Sequence, residues 1–260
     1  MKKDNNAVAV VGDFKYLSKY FSKFISNLTH KGKFNGDVLV LTSYLTPTFL
    51  IPSMWKNKNI KVLRFKKISF PSEIKKKYLS LNTNGQPNRF KTKNFQWFKL
   101  NLFHKKLKEW RLVLYLDINL TVHKDINPIF HIKPNNILLK CDSYPEYKNT
   151  LRSQFDSSQK EMDFLEKKFN LDDNKYFQTG LIYLNTEIIF EEMINEIINY
   201  ATLYPISITN EQGVLNLYFQ DNKHLATELP ECIGNDIIYF YWMIKNKDII
   251  ITKQLVEKFK

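Results

Sequence analysis

The sequence predicts an α/β fold in which helices flank a mostly parallel central sheet. In its first third, apolar strand-like runs alternate with helical patterns in the order β-α-β-α-β. This order favours parallel strands joined by right-handed crossovers. The run 112–116 is continuously apolar, as in a sheet whose two faces are both covered. The 260 residues, 43% of them hydrophobic, fit one globular domain over residues 1–260.

The opening elements follow from the spacing of apolar residues. Residues 7–11 form an apolar run that Gly12 ends, which is typical of a buried strand. A helix is predicted next, because apolar residues recur at helical intervals from Leu17 to Leu28 and Gly32 lies where a C-terminal cap would end it. Further strands are predicted over residues 37–42 and 60–65.

The middle of the chain is predicted to contain a flexible loop, a helix and the central strand. Residues 72–91 include Gly85, Pro87 and several Asn, which favours a loop in a position to act as a lid. Residues 92–109 predict an amphipathic helix with one buried stripe. The apolar run 112–116 predicts a strand. Later strands are expected at 137–140 and 181–184, and later helices at 159–170, at 187–200 and from Glu211 to Phe219.

Asp117 and Asn119 follow the central strand directly. Residues two apart on an extended chain point the same way, so these side chains can converge on one cation or one sugar hydroxyl. In open α/β sheets, ligands bind outside the carboxyl ends of the strands. A single Asp at a strand end is more often a turn former, so this interpretation depends on the other motifs.

Positive charge is concentrated in the first part of the chain. The formal net charge is +13, and residues 1–111 hold 24 Lys and Arg against 5 acids. A solvated lysine-rich surface explains this pattern, and so does attraction to a polyanion or a phosphate-bearing ligand. The sequence contains no zinc finger, RNP-like motif or KH loop, which makes nucleic acid an unlikely partner.

The cellular location is predicted from what the sequence lacks. The two cysteines, Cys141 and Cys232, form neither a disulfide framework nor a metal-ligand pattern, which favours a reducing compartment. The longest uninterrupted apolar run, residues 237–244, falls far below the roughly 18 residues that span a bilayer. A cytoplasmic protein without a membrane span is expected.

Four stretches, in this order, resemble motifs of the retaining glycosyltransferases of family 8, particularly its glycogenin-like members. They are Asp13-Phe14-Lys15-Tyr16, then Lys99-Leu100 with Leu116-Asp117-Ile118-Asn119, then Gln178-Thr179-Gly180, and finally Glu211-Gln212-Gly213 with Leu215-Asn216. A fifth match is partial: Tyr239, Trp242 and Lys245 stand where the family has His, Gly and Lys. Four motifs in order, each at the end of a strand or the start of a helix, reinforce one another.

The resemblance implies a GT-A fold, which is Rossmann-like, and transfer of a sugar from a UDP-sugar to a hydroxyl of a glycan or protein acceptor, with retention of configuration. Tyr16 would stack on the uracil. Glu211, Gln212 and Gln178 would lie at the reacting sugar. The residues implied to contact the donor are Val11, Asp13, Tyr16, Lys99, Asp117, Ile118, Asn119, Asp142 and Lys245.

The same resemblance implies a Mn²⁺ site, at which this chain departs from the family. The family supplies two carboxylates and an imidazole. Here Asp117 and Asn119 are the predicted metal ligands, and Tyr239 takes the place of the imidazole. Manganese prefers anionic oxygen and imidazole donors, so weak or nucleotide-dependent binding is expected.

Two other functions remain open from the sequence. One is a nucleotide- or glycan-binding protein of the same fold whose catalysis is impaired by the changes at Asn119, Gln178 and Tyr239. The other is a basic nucleic-acid-binding protein, which only the net charge supports.

Overall fold

A computed structural model describes residues 5–55, 58–122, 125–144 and 147–230, together with the backbone of 232–233 and 236–237. Its central sheet has seven strands. These are β1 (Asn6–Val11), β2 (Asp37–Ser43), β3 (Ile60–Phe65), β4 (Leu112–Leu116), β5 (Ile137–Cys141), β6 (Phe177–Asn185) and β7 (Ala226–Glu228). Cys232–Ile233 and Asp236–Ile237 form a separate antiparallel ladder, β8 and β9.

The sheet is mostly parallel and has the strand order β3-β2-β1-β4-β6-β5-β7. Four neighbouring pairs are parallel, and only β6 runs against its neighbours β4 and β5. The α/β fold class with a mostly parallel sheet is therefore confirmed. The α-helices are α1 (Phe14–His30), α2 (Ser72–Ser80), α3 (Arg89–Thr92), α4 (Met162–Lys168), α5 (Met193–Leu203) and α6 (Glu211–Asp221).

Short 3₁₀ helices connect many of these elements. They are Thr48–Leu50, Pro52–Met54, Asn94–Phe103, Lys105–Glu109, Asn127–His131, Leu151–Gln154, Thr186–Ile188 and Lys223–Leu225. In the part of the chain that the structure describes, no helix is long and apolar enough to cross a membrane.

Both faces of the central strands are buried, which explains the continuous apolar runs of β1 and β4. Along β1, Ala7 and Ala9 belong to the core on one face, whereas Val8 and Val10 belong to the core on the other. Helix α1 covers the second face, and the buried side chains of Leu17 to Leu28 lie on its inner side. The first helix and the three opening strands are confirmed, because alternation on each strand has apolar partners on both sides.

The predicted amphipathic helix at 92–109 is wrong. The chain there forms two 3₁₀ helices, Asn94–Phe103 and Lys105–Glu109, separated by His104 in an extended conformation. Every residue from 97 to 103 is buried, so this part of the chain has no solvent-facing side. It packs against the sheet and against α5 and α6. A run that is enclosed on all sides takes its conformation from tertiary packing, which the helical spacing of its apolar residues does not report.

The predicted flexible loop at 72–91 is also wrong for much of its length, because it contains α2 and the start of α3. Tyr78 of α2 is completely buried. Its ring stacks on Phe90 with centroids 4.9 Å apart, and its hydroxyl donates to the Ala201 carbonyl at 2.9 Å. These contacts anchor the segment in spite of its Gly and Asn content.

The later helices differ from the prediction mainly at their ends. Helix α4 is shorter than the predicted 159–170. The predicted helix 187–200 divides into the 3₁₀ turn Thr186–Ile188 and α5, which extends to Leu203. The helix predicted from Glu211 is present as α6 and ends at Asp221.

Candidate active site

A polar cleft lies at one edge of the sheet, where chain segments from distant parts of the sequence meet. The carboxyl ends of β1, β4 and β5 share this edge because β1 and β4 are parallel and β5 runs the same way. Strand β6 is antiparallel, so its beginning, with Gln178 and Thr179, arrives at the same edge. The first turn of α6 also lies here, and Gln212 lines the cleft. The cavity has a volume of about 230 Å³.

Most of the predicted site residues line this cleft. Asp13 and Glu211 do not line it, and Lys245 and Tyr239 lie outside the described residues. The residues that both the sequence predicted and the cleft contains are Val11, Tyr16, Lys99, Asp117, Ile118, Asn119, Asp142, Gln178 and Gln212.

The cleft also contains residues that the sequence analysis did not assign. Arg89 and Lys93 add two cations, and Phe95 adds an aromatic ring. Their positions follow from the folding of 72–103, the region in which secondary structure was predicted incorrectly. The other unassigned lining residues are Gln96, Gln154, Gly180, Leu120, Thr179 and Thr209. Of these, Thr179 and Gly180 stood inside a recognised motif.

Lys99 connects the two main motifs of the site. Its ammonium lies 3.1 Å from Asp117 Oδ1 and 2.9 Å from Glu211 Oε1. It also donates to the carbonyl oxygen of Thr179 at 3.1 Å and to its hydroxyl at 3.2 Å. Lys99 is only 2% exposed. It thus forms part of the cleft wall, and four protein oxygens surround its charge.

The pKa of Lys99 reflects this environment. Burial by itself lowers the pKa of the ammonium, but the carboxylates of Asp117 and Glu211 outweigh burial and raise the pKa above its usual value. Burial also raises the pKa of Tyr115, and Asp117 adds to this effect. The Tyr115 hydroxyl stays protonated and donates to Asp117 Oδ1 at 2.5 Å. Two donors therefore fix one oxygen of Asp117, and the carboxylate remains partly exposed to the cleft.

Glu211 lies behind the cleft wall and is only 1% exposed. Its Oε1 accepts a hydrogen bond from the Thr179 hydroxyl at 3.0 Å and pairs with Lys99. Its Oε2 is buried without a hydrogen-bond partner among the described residues. The preceding residue, Asn210, has φ +55°, a conformation that is costly for a residue with a Cβ. The backbone before α6 is thus held in a strained form that places Glu211 at the start of the helix.

Thr209 and Asn210 precede the first turn of α6. Thr209 accepts from the backbone N–H of Gly213 at 3.1 Å, so it satisfies a donor of the first turn. The N-cap residue itself is Asn210, whose side chain makes no cap hydrogen bond. Its amide instead donates to Gln96 Oε1 at 3.0 Å, which links α6 to the segment carrying Lys99.

Gln212 makes hydrogen bonds to three separate segments that line the cleft. Its amide nitrogen donates to Asp142 Oδ2 at 3.1 Å and to Gln154 Oε1 at 2.9 Å. Its amide oxygen accepts from the backbone N–H of Thr179 at 3.4 Å. The amide of Gln212 is consequently held in one orientation at the cleft surface.

Tyr16 and Phe95 form an aromatic edge of the cleft. Their ring centroids are 4.3 Å apart at an interplanar angle of 44°. Asp13, which does not line the cleft, accepts from the backbone N–H of Tyr16 at 2.9 Å and caps α1. Asp13 therefore acts by fixing the turn that presents Tyr16.

The cleft provides oxygen donors for a cation, but few of them. Asp117 and Asn119 both line it, as the sequence predicted. Among the described residues there is no group of three or more His, Cys, Asp or Glu side chains that could hold a metal ion. Carboxylate and amide oxygens suit Mn²⁺ or Mg²⁺, so these two residues fit such an ion as a partial ligand set that a diphosphate would complete.

The fold can be compared with solved structures. The galactosyltransferase LgtC, solved with donor and acceptor sugar analogues, matches with a TM-score of 0.55 at 14% identity, over 87% of this chain and 73% of LgtC. Mouse xyloside xylosyltransferase 1 matches with a TM-score of 0.53 at 13% identity, over 88% of this chain and 86% of that protein. The fold is that of the GT-A glycosyltransferases. GlyE of Streptococcus pneumoniae also matches, with a TM-score of 0.53 at 13% identity, over 98% of this chain and 52% of GlyE.

Searches by sequence give a different result. No protein-family model matches the chain, and no curated protein matches it. The GT-A fold is thus supported by the three-dimensional arrangement, which persists at sequence identities of 13 to 14%.

Proposed function

We propose that this protein is a retaining glycosyltransferase that moves a sugar from a UDP-sugar to an acceptor hydroxyl. The observation that carries the proposal is the meeting of Tyr16, Asp117, Asn119, Gln178 and Gln212 in one cleft of a GT-A fold. These residues come from four motifs that are far apart in the sequence. The fold neighbours LgtC and xyloside xylosyltransferase 1 are a galactosyltransferase and a xylosyltransferase.

In the proposed complex, the nucleobase lies against Tyr16 at the aromatic edge. The diphosphate lies towards Asp117 and Asn119, where Arg89 and Lys93 also line the cleft. The transferred sugar lies near the amides of Gln178 and Gln212. Because Lys99 is surrounded by four protein oxygens, its main role in this proposal is to orient Asp117 and Glu211.

The reaction breaks the bond between the sugar C1 and the diphosphate oxygen and forms a bond from C1 to the acceptor oxygen. The acceptor hydroxyl passes its proton to an oxygen of the departing diphosphate, and UDP leaves as the second product. A divalent cation, when bound, would offset the charge that develops on the diphosphate. Arg89 and Lys93 would contribute to the same stabilisation from the protein side.

Replacing Tyr16 tests the proposed base-binding edge. Stacking of a base on an aromatic ring is worth about 1 to 3 kcal/mol in nucleic-acid-binding proteins. Tyr16→Ala is therefore expected to weaken UDP binding by roughly 5- to 150-fold. Isothermal titration calorimetry with UDP measures this effect, and Tyr20→Ala, which removes a neighbouring ring on α1 that does not line the cleft, is the control. Unchanged affinity in Tyr16→Ala would contradict the assignment.

Replacing Glu211 tests whether the buried carboxylate supports turnover. Glu211→Gln keeps the shape and removes the charge that Lys99 and the Thr179 hydroxyl contact. Transfer is expected to fall by on the order of tenfold or more, because Lys99, which orients Asp117, loses a fixed partner. Steady-state kinetics and thermal unfolding should be measured on the same samples. Wild-type turnover in a folded variant would refute the role of Glu211.

The function itself is tested by incubating the protein with UDP-glucose, UDP-galactose and UDP-N-acetylglucosamine and measuring released UDP. Slow hydrolysis of one donor without an acceptor is the expected result. The Asp117→Ala variant serves as the control for contaminating hydrolases. Analysis of the anomeric configuration of the transfer product then tests retention.

An alternative function is a nucleotide- or glycan-binding protein without catalysis. The neutral Asn119 favours it, since the described part of the cleft has Asp117 as the only acid at the predicted metal position. In that case UDP would bind to the wild type and more weakly to Tyr16→Ala, but no donor would release UDP. The two functions are separated by the hydrolysis assay alone.

A further inference from the structure

A second surface, distinct from the cleft, exposes an unusual concentration of large apolar side chains. It occupies residues 44–55, between β2 and β3, and we refer to it as the apolar segment. Five of the ten large hydrophobic residues that are exposed in the described chain lie in these twelve residues. They are Tyr44, Leu45, Phe49, Leu50 and Trp55. Leu45 is 91% exposed and Trp55 is 66% exposed.

The apolar segment is held firmly by the rest of the protein. The guanidinium of Arg64 on β3 donates to the carbonyls of Ser43 at 3.2 Å and Thr46 at 2.8 Å, and to the Thr48 hydroxyl at 2.7 Å. Ile51 and Met54 are buried in the core. The Arg64 hydrogen bonds and the two buried side chains therefore fix the backbone of the apolar segment. The exposed apolar side chains belong to the same fixed backbone.

A basic cavity adjoins the apolar segment. It has a volume of about 460 Å³, and Tyr44 belongs to both features. Among the described residues that line the cavity, Glu191 is the one carboxylate, and it pairs with Lys105 at 3.0 Å. The cations that line the cavity are Arg64, Lys66, Lys105 and Lys106. Burial lowers the pKa of His104 in this cavity, and the charges of Lys106 and Lys105 lower it further. This local excess of positive charge belongs to the half of the chain in which 24 Lys and Arg stand against 5 acids.

Exposed Trp, Tyr, Leu and Phe beside lysines match the chemistry of a membrane interface. Aromatic rings and aliphatic side chains enter the boundary between headgroups and acyl chains, while lysines attract anionic headgroups. A polyanion without an apolar phase would explain the lysines but leave Leu45, Phe49 and Trp55 in water. The two features together therefore favour a lipid surface.

We propose that the apolar segment, with Lys66 and Lys106 beside it, docks this protein on the surface of an anionic lipid bilayer. The segment begins directly after the carboxyl end of β2, which is parallel to β1. It therefore starts from the sheet edge that also carries the cleft. Docking brings that edge towards the bilayer, and it does not depend on the proposed sugar transfer.

The test is sedimentation of the full chain with lipid vesicles. Binding is expected to vesicles of phosphatidylcholine containing one-third phosphatidylserine, to weaken as salt is raised, and to be at least tenfold weaker with phosphatidylcholine alone. Each Lys near the surface of an anionic membrane contributes about fivefold. Lys66→Gln/Lys106→Gln is therefore expected to weaken binding by roughly 25-fold.

Matched variants separate this surface from general stickiness. Leu45→Ser/Phe49→Ser/Trp55→Ser is expected to lower vesicle binding by on the order of tenfold or more. Leu79→Ser/Phe164→Ser/Leu203→Ser removes three side chains that are likewise exposed and lie outside the apolar segment, and it is expected to bind as the wild type does. For the charge variant, the control is Lys160→Gln/Lys167→Gln, at and near α4.

Three outcomes would overturn the proposal. One is failure of the wild type to bind anionic vesicles. Another is equal loss of binding in the apolar variant and its matched control. The third is a vesicle-free dimer, detected by light scattering, that the apolar variant dissociates, because the segment would then be covered by a second copy of the chain. Circular dichroism of every variant shows whether the fold is retained, and UDP binding provides a readout at the separate cleft.

Discussion

Lys99→Met is expected to lower the free energy of unfolding by about 3 to 5 kcal/mol and to reduce sugar transfer by roughly 10- to 100-fold. Methionine fills a similar volume with apolar atoms, so the loss does not come from a cavity. It comes from the buried carboxylate of Glu211, which loses its cation while its second oxygen already has no partner among the described residues. Asp117 loses one of the two donors that orient it.

A second substitution tests this explanation of the loss. Lys99→Met/Glu211→Gln removes the buried charge together with its partner, and it is expected to recover part of the stability lost in the single variant. Equilibrium unfolding in urea measures the free energy of unfolding of the wild type, the single variant and the double variant. An exposed ion pair usually contributes about 1 kcal/mol or less. If the free energy of unfolding of Lys99→Met is within about 1 kcal/mol of the wild-type value, the buried ion pair stabilises the protein no more than an exposed pair does.

Lys140→Met is the matched control for the effect on transfer. Lys140 is also a fully buried lysine, it lies on β5, and it pairs with Glu228 at 3.0 Å. Its replacement is expected to destabilise the protein while the turnover of the folded fraction stays at the wild-type level. Equal loss of turnover in both variants would mean that stability, and not the orientation of Asp117, limits activity.

The pH dependence of the Lys99 effect follows from the direction of its pKa shift. The pKa of Lys99 is raised in the folded protein above the ordinary 10.5. The folded state thus binds this proton more tightly than the unfolded state does, and the resulting stability is fully present below pH 10.5 and is lost as pH rises through the folded pKa. The difference in the free energy of unfolding between the wild type and Lys99→Met is expected to shrink only above pH 10.5.

The sequence predicted the sheet well because each strand is determined by a short local pattern. Residues 60–65 and 112–116 have the predicted bounds, since apolar side chains on both faces need no information beyond the strand itself. The segment 92–109 was predicted incorrectly because its apolar residues are satisfied by contacts with β1, β2, α5 and α6. Such contacts join residues that are far apart in sequence, and periodicity within one segment does not encode them.

The same distinction applies to the site. Asp117 and Asn119 were found because a strand end places side chains in a known direction, and Gln178 was found because its motif resembles one of the family. The burial of Lys99 was not predicted, and its lysine-rich surroundings in the sequence suggested a solvated charge. Arg89 and Lys93 were missed because their approach to the cleft depends on α2 and α3, which the sequence analysis replaced with a loop.

The charge balance of the cleft leads to the last prediction, which concerns the metal. Lys99 neutralises one of its two carboxylate partners, so the group of Lys99, Asp117 and Glu211 keeps a net negative charge. Asp117 is the carboxylate of this group that lines the cleft, whereas Glu211 lies behind the cleft wall. A cation placed there would offset this charge, but Asn119 adds only a neutral oxygen donor. One carboxylate and one amide leave most positions of an octahedral ion to be filled by water or by the diphosphate.

Mn²⁺ is therefore expected to bind measurably only together with UDP or the UDP-sugar. Calorimetric titration of Mn²⁺ with and without UDP measures this coupling, and UDP affinity is expected to fall when EDTA is added. Asp117→Ala is expected to abolish the coupling and to lower transfer by on the order of 100-fold or more, because stabilisation of the leaving diphosphate is lost. Asp142→Ala, which removes the other acid that lines the cleft, is the matched control and is expected to leave the coupling between Mn²⁺ and UDP in place.

Tight Mn²⁺ binding without nucleotide would reveal ligands beyond Asp117 and Asn119. Transfer that is indifferent to both EDTA and Asp117→Ala would instead leave the neutralisation of the diphosphate to Arg89 and Lys93.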